Sequence, residues 1–263
     1  MPIHSSTPIA RLTREEFLIR DEIVMRCAYA TQNRLGRLCD ERVYENDLAA
    51  RLRAEGMGNL KTQVSFTVSH ETFAKEYRLD LVADDAVYEL KTVLHLIGEH
   101  DAQVLNYAML RDLLCIKLLN FRNAKVEGKL RLSGVTNAER HAFTMDETRW
   151  QPLSPRCHEL KRQWTSLVSD VGAFLDTRLY EEALAFLLSA HPSRLTVTRD
   201  GLELGTHSTL LLTDQIAFCI TAFTTAIGHQ QSHLARLLGL LPLTGLQWIN
   251  LNHADISLVT LVK

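Results

Sequence analysis

The spacing of apolar residues changes period twice in the front half of the chain. After the charged Arg14-Glu15-Glu16, the residues Phe17, Ile19, Ile23, Val24, Ala28 and Ala30 mark roughly one face of a helix over 14–34. A second helix is predicted over 40–55, with Val43, Leu48 and Leu52 inward and Gly56 and Gly58 closing it. From 62 to 93 the period is two. Residues 62–68 alternate as a strand, 77–82 read as another, and Asp84-Asp85 is a tight turn into a third over 86–93, so the last two form a hairpin. Residues 100–112 read as a helix, and 115–121 is an unbroken apolar run of strand length, suited to the middle of a sheet.

The pattern then recurs. RVYENDLAARLRA at 42–54 matches RLYEEALAFLLSA at 178–190 at seven of thirteen positions without a gap. At a displacement of 130, residues 79–121 fall on 209–251, where Leu81, Asp84, Ile97, Gly98, Leu110, Leu113 and Asn120 meet identical residues. The order strand, turn, strand, helix, strand is repeated with them. This predicts an α/β protein of two tandem αβββαβ units, each a mixed sheet flanked by helices. The units lie within 1–135 and 155–263 and are joined by a polar segment containing Pro152 and Pro155. The competing reading is that two short helices share a common amphipathic pattern.

Composition narrows the class. A length of 263 residues suits one large domain or two moderate ones, and 46% hydrophobic with 23% charged residues excludes a disordered, collagen-like or disulfide-scaffold chain. The formal net charge of −2 argues against a basic nucleic-acid coat, yet leaves room for an enzyme that meets a polyanion through a local groove and a metal ion. Charge is unevenly spread: residues 1–150 hold 21 Lys+Arg and 22 Asp+Glu, against 8 and 9 in the remainder. The five cysteines have no CxxC spacing, which points to a reducing compartment. The N-terminus has no apolar signal core and no run has membrane-spanning length, so the expected location is cytoplasmic, without a membrane partner.

The candidate chemistry lies in the predicted hairpin. Asp80 is followed by Glu89-Leu90-Lys91, and strand alternation puts Glu89 and Lys91 on one face, with Asp80 brought opposite by the turn. Two carboxylates present the hard oxygen ligands that Mg²⁺ or Mn²⁺ prefers. A lysine beside them orients water or stabilises charge developing on a phosphate. Taken alone, acids and lysines alternate on many solvated strands, but the rest of AVYELKTV is apolar and suggests a half-buried face. Gln103 and Tyr107 form an i, i+4 pair on one helix face that can reach the same place, and Glu41, three residues before Tyr44, supplies another acid. Arg122, Lys125, Lys129 and Arg131 make a basic stretch that either contacts backbone phosphates or is a solvated loop. No acid or cysteine other than Cys219 accompanies His229, His233 and His253 at zinc-ligand spacing, and no Gly-rich phosphate loop, GxSxG elbow or Cys/His nucleophile arrangement is present.

Together, Glu41-x-x-Tyr44, Tyr77-Arg78-Leu79-Asp80-Leu81, Glu89-Leu90-Lys91, His100-x-x-Gln103-x-x-x-Tyr107 and Leu118-Leu119-Asn120-Phe121 make residues 15–135 resemble the GxxExxY family of the PD-(D/E)XK nuclease superfamily. The resemblance implies a metal-dependent phosphodiesterase site acting on nucleic acid, DNA in the first instance. Carried onto this chain, it makes Asp80 and Glu89 the metal ligands and Lys91 the catalytic lysine. Glu41 becomes a helix-borne acid, and Gln103 with Tyr107 a supporting motif. The family's glycine is Leu38 here, and the nearest glycine is Gly36. At the displacement of 130, Asp80, Glu89, Lys91, Gln103 and Tyr107 become Leu210, Cys219, Thr221, His233 and Leu237, so the second unit reads as a degenerate copy without catalytic residues. Its low charge suits an interface, in an intramolecular pseudo-dimer or a homodimer. The rival reading is a nucleic-acid-binding or scaffold protein that keeps the fold without turnover.

Overall fold

A computed structural model describes residues 2–263. By residue contacts the chain divides into two units, one running to Ser69 and over Lys75–Asn137, the other comprising His70–Ala74 and Ala138–Lys263. Among the described residues no helix is long and apolar enough to cross a membrane.

The first unit opens with a short strand β1 (Ile3–His4), followed by helices α1 (Arg14–Leu35) and α2 (Glu41–Ala54). Strands β2 (Leu60–His70), β3 (Phe73–Ala83) and β4 (Ala86–Lys91) follow, then helix α3 (Gly98–Leu110) and strands β5 (Cys115–Asn120) and β6 (Glu127–Leu132). The six strands form one sheet in the order β1-β2-β3-β4-β5-β6. β3 and β4 pair antiparallel, β4 and β5 parallel, β5 and β6 antiparallel.

Local chemistry sets these boundaries. Thr13 and Glu16 cap α1 reciprocally, the Glu16 carboxylate accepting from Thr13 N at 2.8 Å and Thr13 Oγ1 accepting from Glu16 N at 3.2 Å. The helix ends at Gly36, whose φ of +75° is open to glycine at little cost. Asp84 and Asp85 both take positive φ, 45° and 70°, which matches the twist of a two-residue hairpin turn. One face of the sheet is covered by the apolar sides of α1 and α2: Phe17, Val24, Tyr44, Leu48 and Leu52 pack with Leu81, Tyr88, Leu90 and Leu119. Val43, expected inward, is instead 43% exposed. The buried stripe of α2 runs through Tyr44, Leu48 and Leu52, one residue round the helix from it.

The second unit contains a short helix α4 (Asn137–His141) at its junction with the first, strand β7 (Thr144–Arg149), helices α5 (Pro155–Val171) and α6 (Thr177–Leu187), and strands β8 (Pro192–Arg199), β9 (Leu202–Thr213) and β10 (Ile216–Thr221). Helix α7 (Ile227–Leu240) and strands β11 (Gly245–Asn252) and β12 (Asp255–Val262) complete it. The sheet order is β7-β12-β11-β10-β9-β8. β9 and β10 pair antiparallel, β10 and β11 parallel, β11 and β12 antiparallel. The segment expected only to join the units thus supplies an edge strand, β7, parallel to β12.

Each unit therefore contains two helices, three strands, a helix and two strands, with the same pairing senses through its last four strands. The registers also agree. Glu89 pairs with Leu118 and Lys91 with Asn120, while Cys219 pairs with Trp248 and Thr221 with Asn250. The helix pairs share a polar lock as well. Tyr44 OH donates to Gly36 O at 2.9 Å and accepts from Cys39 N at 3.2 Å; Tyr180 OH donates to Gly172 O at 2.6 Å and accepts from Leu175 N at 3.3 Å. Gly36 and Gly172 both end their helices with positive φ, +75° and +81°.

Candidate active site

β4 alternates cleanly. Tyr88 and Leu90 enter the core under α1 and α2, so Glu89 and Lys91 point to the other face of the sheet. There Lys91 Nζ donates to Glu89 Oε1 at 2.7 Å. From α3, Gln103 Nε2 donates to the same oxygen at 2.9 Å and contacts Tyr107 OH at 3.0 Å, one helical turn on. The pairs expected from spacing, Glu89 with Lys91 and Gln103 with Tyr107, thus meet as one network.

Asp80 reaches the site from β3. The paired register is Val82 with Val87 and Leu81 with Tyr88, and Asp80 is the next residue along β3 beyond the last pair. Asp80 Oδ2 accepts from Leu90 N at 2.8 Å, so its carboxylate takes a strand N–H. Glu41, the first residue of α2, is close enough for its carboxyl to be influenced by Lys91, Asp80 and Glu45.

Two further residues belong to this cluster. Gln63 Nε2 donates to Asp80 Oδ1 at 3.2 Å and to Glu45 Oε2 at 2.5 Å, and Glu45 is 2% exposed. Gln63 lies inside β2 with φ of +52°, a conformation that non-glycine residues adopt at a cost of roughly 1–3 kcal/mol and that clusters at functional sites. In the sequence, Glu45 reads as one more acid on a charged helix, and its i, i+4 spacing from Glu41 is the only hint of it.

The electrostatics are those of crowded acids in a half-dry cleft. Burial, then the charge of Asp80, pushes Glu89 up to about 8 against the pull of Lys91. Burial raises Glu41 also, with Lys91 pulling it down and Asp80 and Glu45 pushing it further up. Burial works against the Lys91 ammonium, but Glu89, Glu41 and Asp80 outweigh it and hold the group above the ordinary lysine range. Tyr107 is raised, chiefly by burial. Glu89 Oε2 is buried without a hydrogen-bond partner. Such an atom costs free energy unless something electropositive meets it. Among the described residues no group of three or more His, Cys, Asp or Glu side chains forms a ready metal cage. The hard-oxygen donors present are Asp80 and Glu89, with Glu41 nearby.

The basic stretch after β5 is largely spoken for. Lys129 Nζ and Arg131 Nη2 both pair with Asp101 of α3 at 2.8 Å, and Arg122 Nη1 donates to Arg37 O at 3.4 Å. Lys129 and Arg131 therefore tie β6 to α3, because Asp101 neutralises them in place.

The PD-(D/E)XK nuclease superfamily matches residues 20–132, a span that contains Glu41, Gln63, Asp80, Glu89, Lys91, Gln103 and Tyr107. No curated protein and no solved structure matches the chain.

Proposed function

We propose that the first unit is a metal-dependent nuclease of the GxxExxY type, hydrolysing phosphodiester bonds of nucleic acid, with DNA the first substrate to test. The observation that carries this reading is Glu89, with one oxygen held by Lys91 and Gln103 and the other buried and unmet. Asp80 and Glu89, with Glu41 as a third acid, are the residues that would hold Mg²⁺ or Mn²⁺. The bound ion would lower the pKa of a water and offset charge on the phosphate. Lys91 keeps its proton beside Glu89 and is the donor available to a phosphate oxygen or the attacking water. Gln103 fixes the Glu89 oxygen that Lys91 shares, and Tyr107 braces Gln103. The family's glycine position is Leu38, which is 80% exposed; Gly36 makes the turn two residues earlier and Tyr44 grips its carbonyl. That lock supports the assignment despite the shift.

The second unit is, on this reading, a degenerate copy. Matching element order, registers and tyrosine locks support duplication, while Leu210, Cys219 and Thr221 stand where Asp80, Glu89 and Lys91 would be. A unit without those carboxylates has no place for Mg²⁺. Its charge-poor surface is the candidate face for a homodimer, which sedimentation of the full chain would detect.

The test is cleavage of single- and double-stranded DNA and of RNA by the full chain with Mg²⁺ or Mn²⁺. Loss of cleavage in Lys91→Ala and Glu89→Gln, with unchanged circular dichroism, is the expected result. A second reading, nucleic-acid binding without turnover, draws on the loss of every catalytic position in the back half. Binding without cleavage in either metal would favour it.

A further inference from the structure

The second unit has a cavity of about 360 Å³ between α6 and strands β8, β9 and β10. That is toward the small end of the ~300–1,000 Å³ usual for small-molecule sites. Its walls include Leu210 and Cys219, the counterparts of Asp80 and Glu89, together with Glu181. The gapless helix match pairs Glu181 with Glu45, so one acid of the first unit's cluster is kept where the others are gone.

The kept acid has new surroundings. Burial raises the Glu181 carboxyl, and the backbone N–H of Ile220 draws it back down. Ile220 stands at the place of Leu90, whose N–H is taken by Asp80 in the first unit. The helix glutamate therefore faces the strand N–H that the missing aspartate would serve. Beside it, burial and then the Glu181 charge push the Cys219 thiol up to about 12, so it is neutral. Leu210, Phe218 and Ala185 add an apolar wall, Glu182 a second, exposed carboxylate and His207 an imidazole, and no Lys or Arg is among the lining residues.

Charge and shape select one kind of occupant. A phosphate or carboxylate would meet the Glu181 carboxylate and no Lys or Arg, and a divalent metal would find one half-buried carboxylate beside a protonated thiol. An ammonium or guanidinium on an apolar body satisfies both halves of the lining, with the cation at Glu181 and the body against Leu210 and Phe218. We propose that this cavity binds a small organic monocation of that kind, and that the second unit has exchanged a metal site for a ligand site. The inference rests on the correspondence between the two units and not on nuclease activity.

The experiment is calorimetric titration of the full chain in EDTA with phenethylammonium, and with phenylacetate as the anion of matched size. Saturable one-site binding of the ammonium, none of phenylacetate, and weakening of at least about tenfold in Glu181→Gln are expected, because a hydrogen-bonded charge pair is lost. Glu89→Gln should bind the ammonium as the wild type does, which separates this cavity from the acids of the first unit. Equal binding of phenylacetate, no saturable binding of the ammonium, or unchanged affinity in Glu181→Gln would overturn the proposal. If Glu181→Gln does not fold, the contrast between the two probes on the wild type decides.

Discussion

Asn120 and Asn250 clasp the backbone in the same way. Asn120 Oδ1 accepts from Val93 N at 3.1 Å while its Nδ2 donates to Val93 O at 2.8 Å; Asn250 does the same to Phe223, at 2.9 and 3.0 Å. Both side chains are fully buried, Asn120 at the end of β5 and Asn250 two residues before the end of β11. Each holds the chain two residues after it leaves the neighbouring parallel strand, on its way to the crossover helix.

That equivalence predicts matched costs. Asn120→Ala and Asn250→Ala each strand a backbone N–H and C=O, so each should lose about 1–3 kcal/mol in its own unit. Tyr44→Phe and Tyr180→Phe should likewise cost similar amounts, about 1–2 kcal/mol, since both remove a hydroxyl that bridges a helix-end carbonyl and a loop N–H. Denaturant titrations of the four variants check this, and a cost confined to one unit would contradict the shared lock.

Stability should fall as pH rises through the acids of the first unit. Glu89 is raised from its ordinary value of 4.5 to about 8, so between those values the folded chain keeps a proton that the unfolded chain has released. The favourable contribution is full below about pH 4.5 and is lost by the time pH passes about 8. Glu41, also raised, adds in the same direction. Thermal melts of wild type and Glu89→Gln across this range should show a shallower decline in the variant.

Much of the site was legible because it obeys local periodicities. The period of two placed Glu89 and Lys91 together, the i, i+4 rule joined Gln103 to Tyr107, and the Asp84-Asp85 hairpin brought Asp80 back to β4, where it meets Leu90 N. What escaped depends on contacts far apart in sequence. Gln63 looks like a polar residue of an alternating strand, and nothing local announces a positive φ there. Lys129 and Arg131 look like free phosphate contacts until Asp101 is seen between them. β7 lacks a hydrophobic alternation, its residues being mostly exposed, and so its pairing with β12 leaves no mark on the pattern.

Gln63 should matter to the chemistry more than to the fold. Gln63→Gly relieves a positive φ and removes the amide that holds Asp80 Oδ1, so the melting temperature should be kept or raised. Mn²⁺ affinity or turnover should fall about 10–100-fold, as for other residues that orient a metal ligand. Equal losses of stability and activity would make the residue simply structural.

A buried ion pair on the opposite face of the sheet offers a separate test. Lys117 Nζ and Asp21 Oδ2 lie 2.5 Å apart, and both residues are buried. Lys117→Met leaves Asp21 uncompensated and should cost about 3–5 kcal/mol, whereas adding Asp21→Leu should recover most of that loss. Chemical denaturation of the single and double variants measures it.

Strand β7, which precedes both Pro152 and Pro155 in the joining segment, has a practical consequence. A fragment cut to begin at Pro155 would lose β7 and lay bare the outer hydrogen-bonding groups of β12. An unpaired edge of that sort recruits a neighbour's strand, so self-association of such a truncation would be an artefact of the scissors, and expression of the back half should start before Thr144.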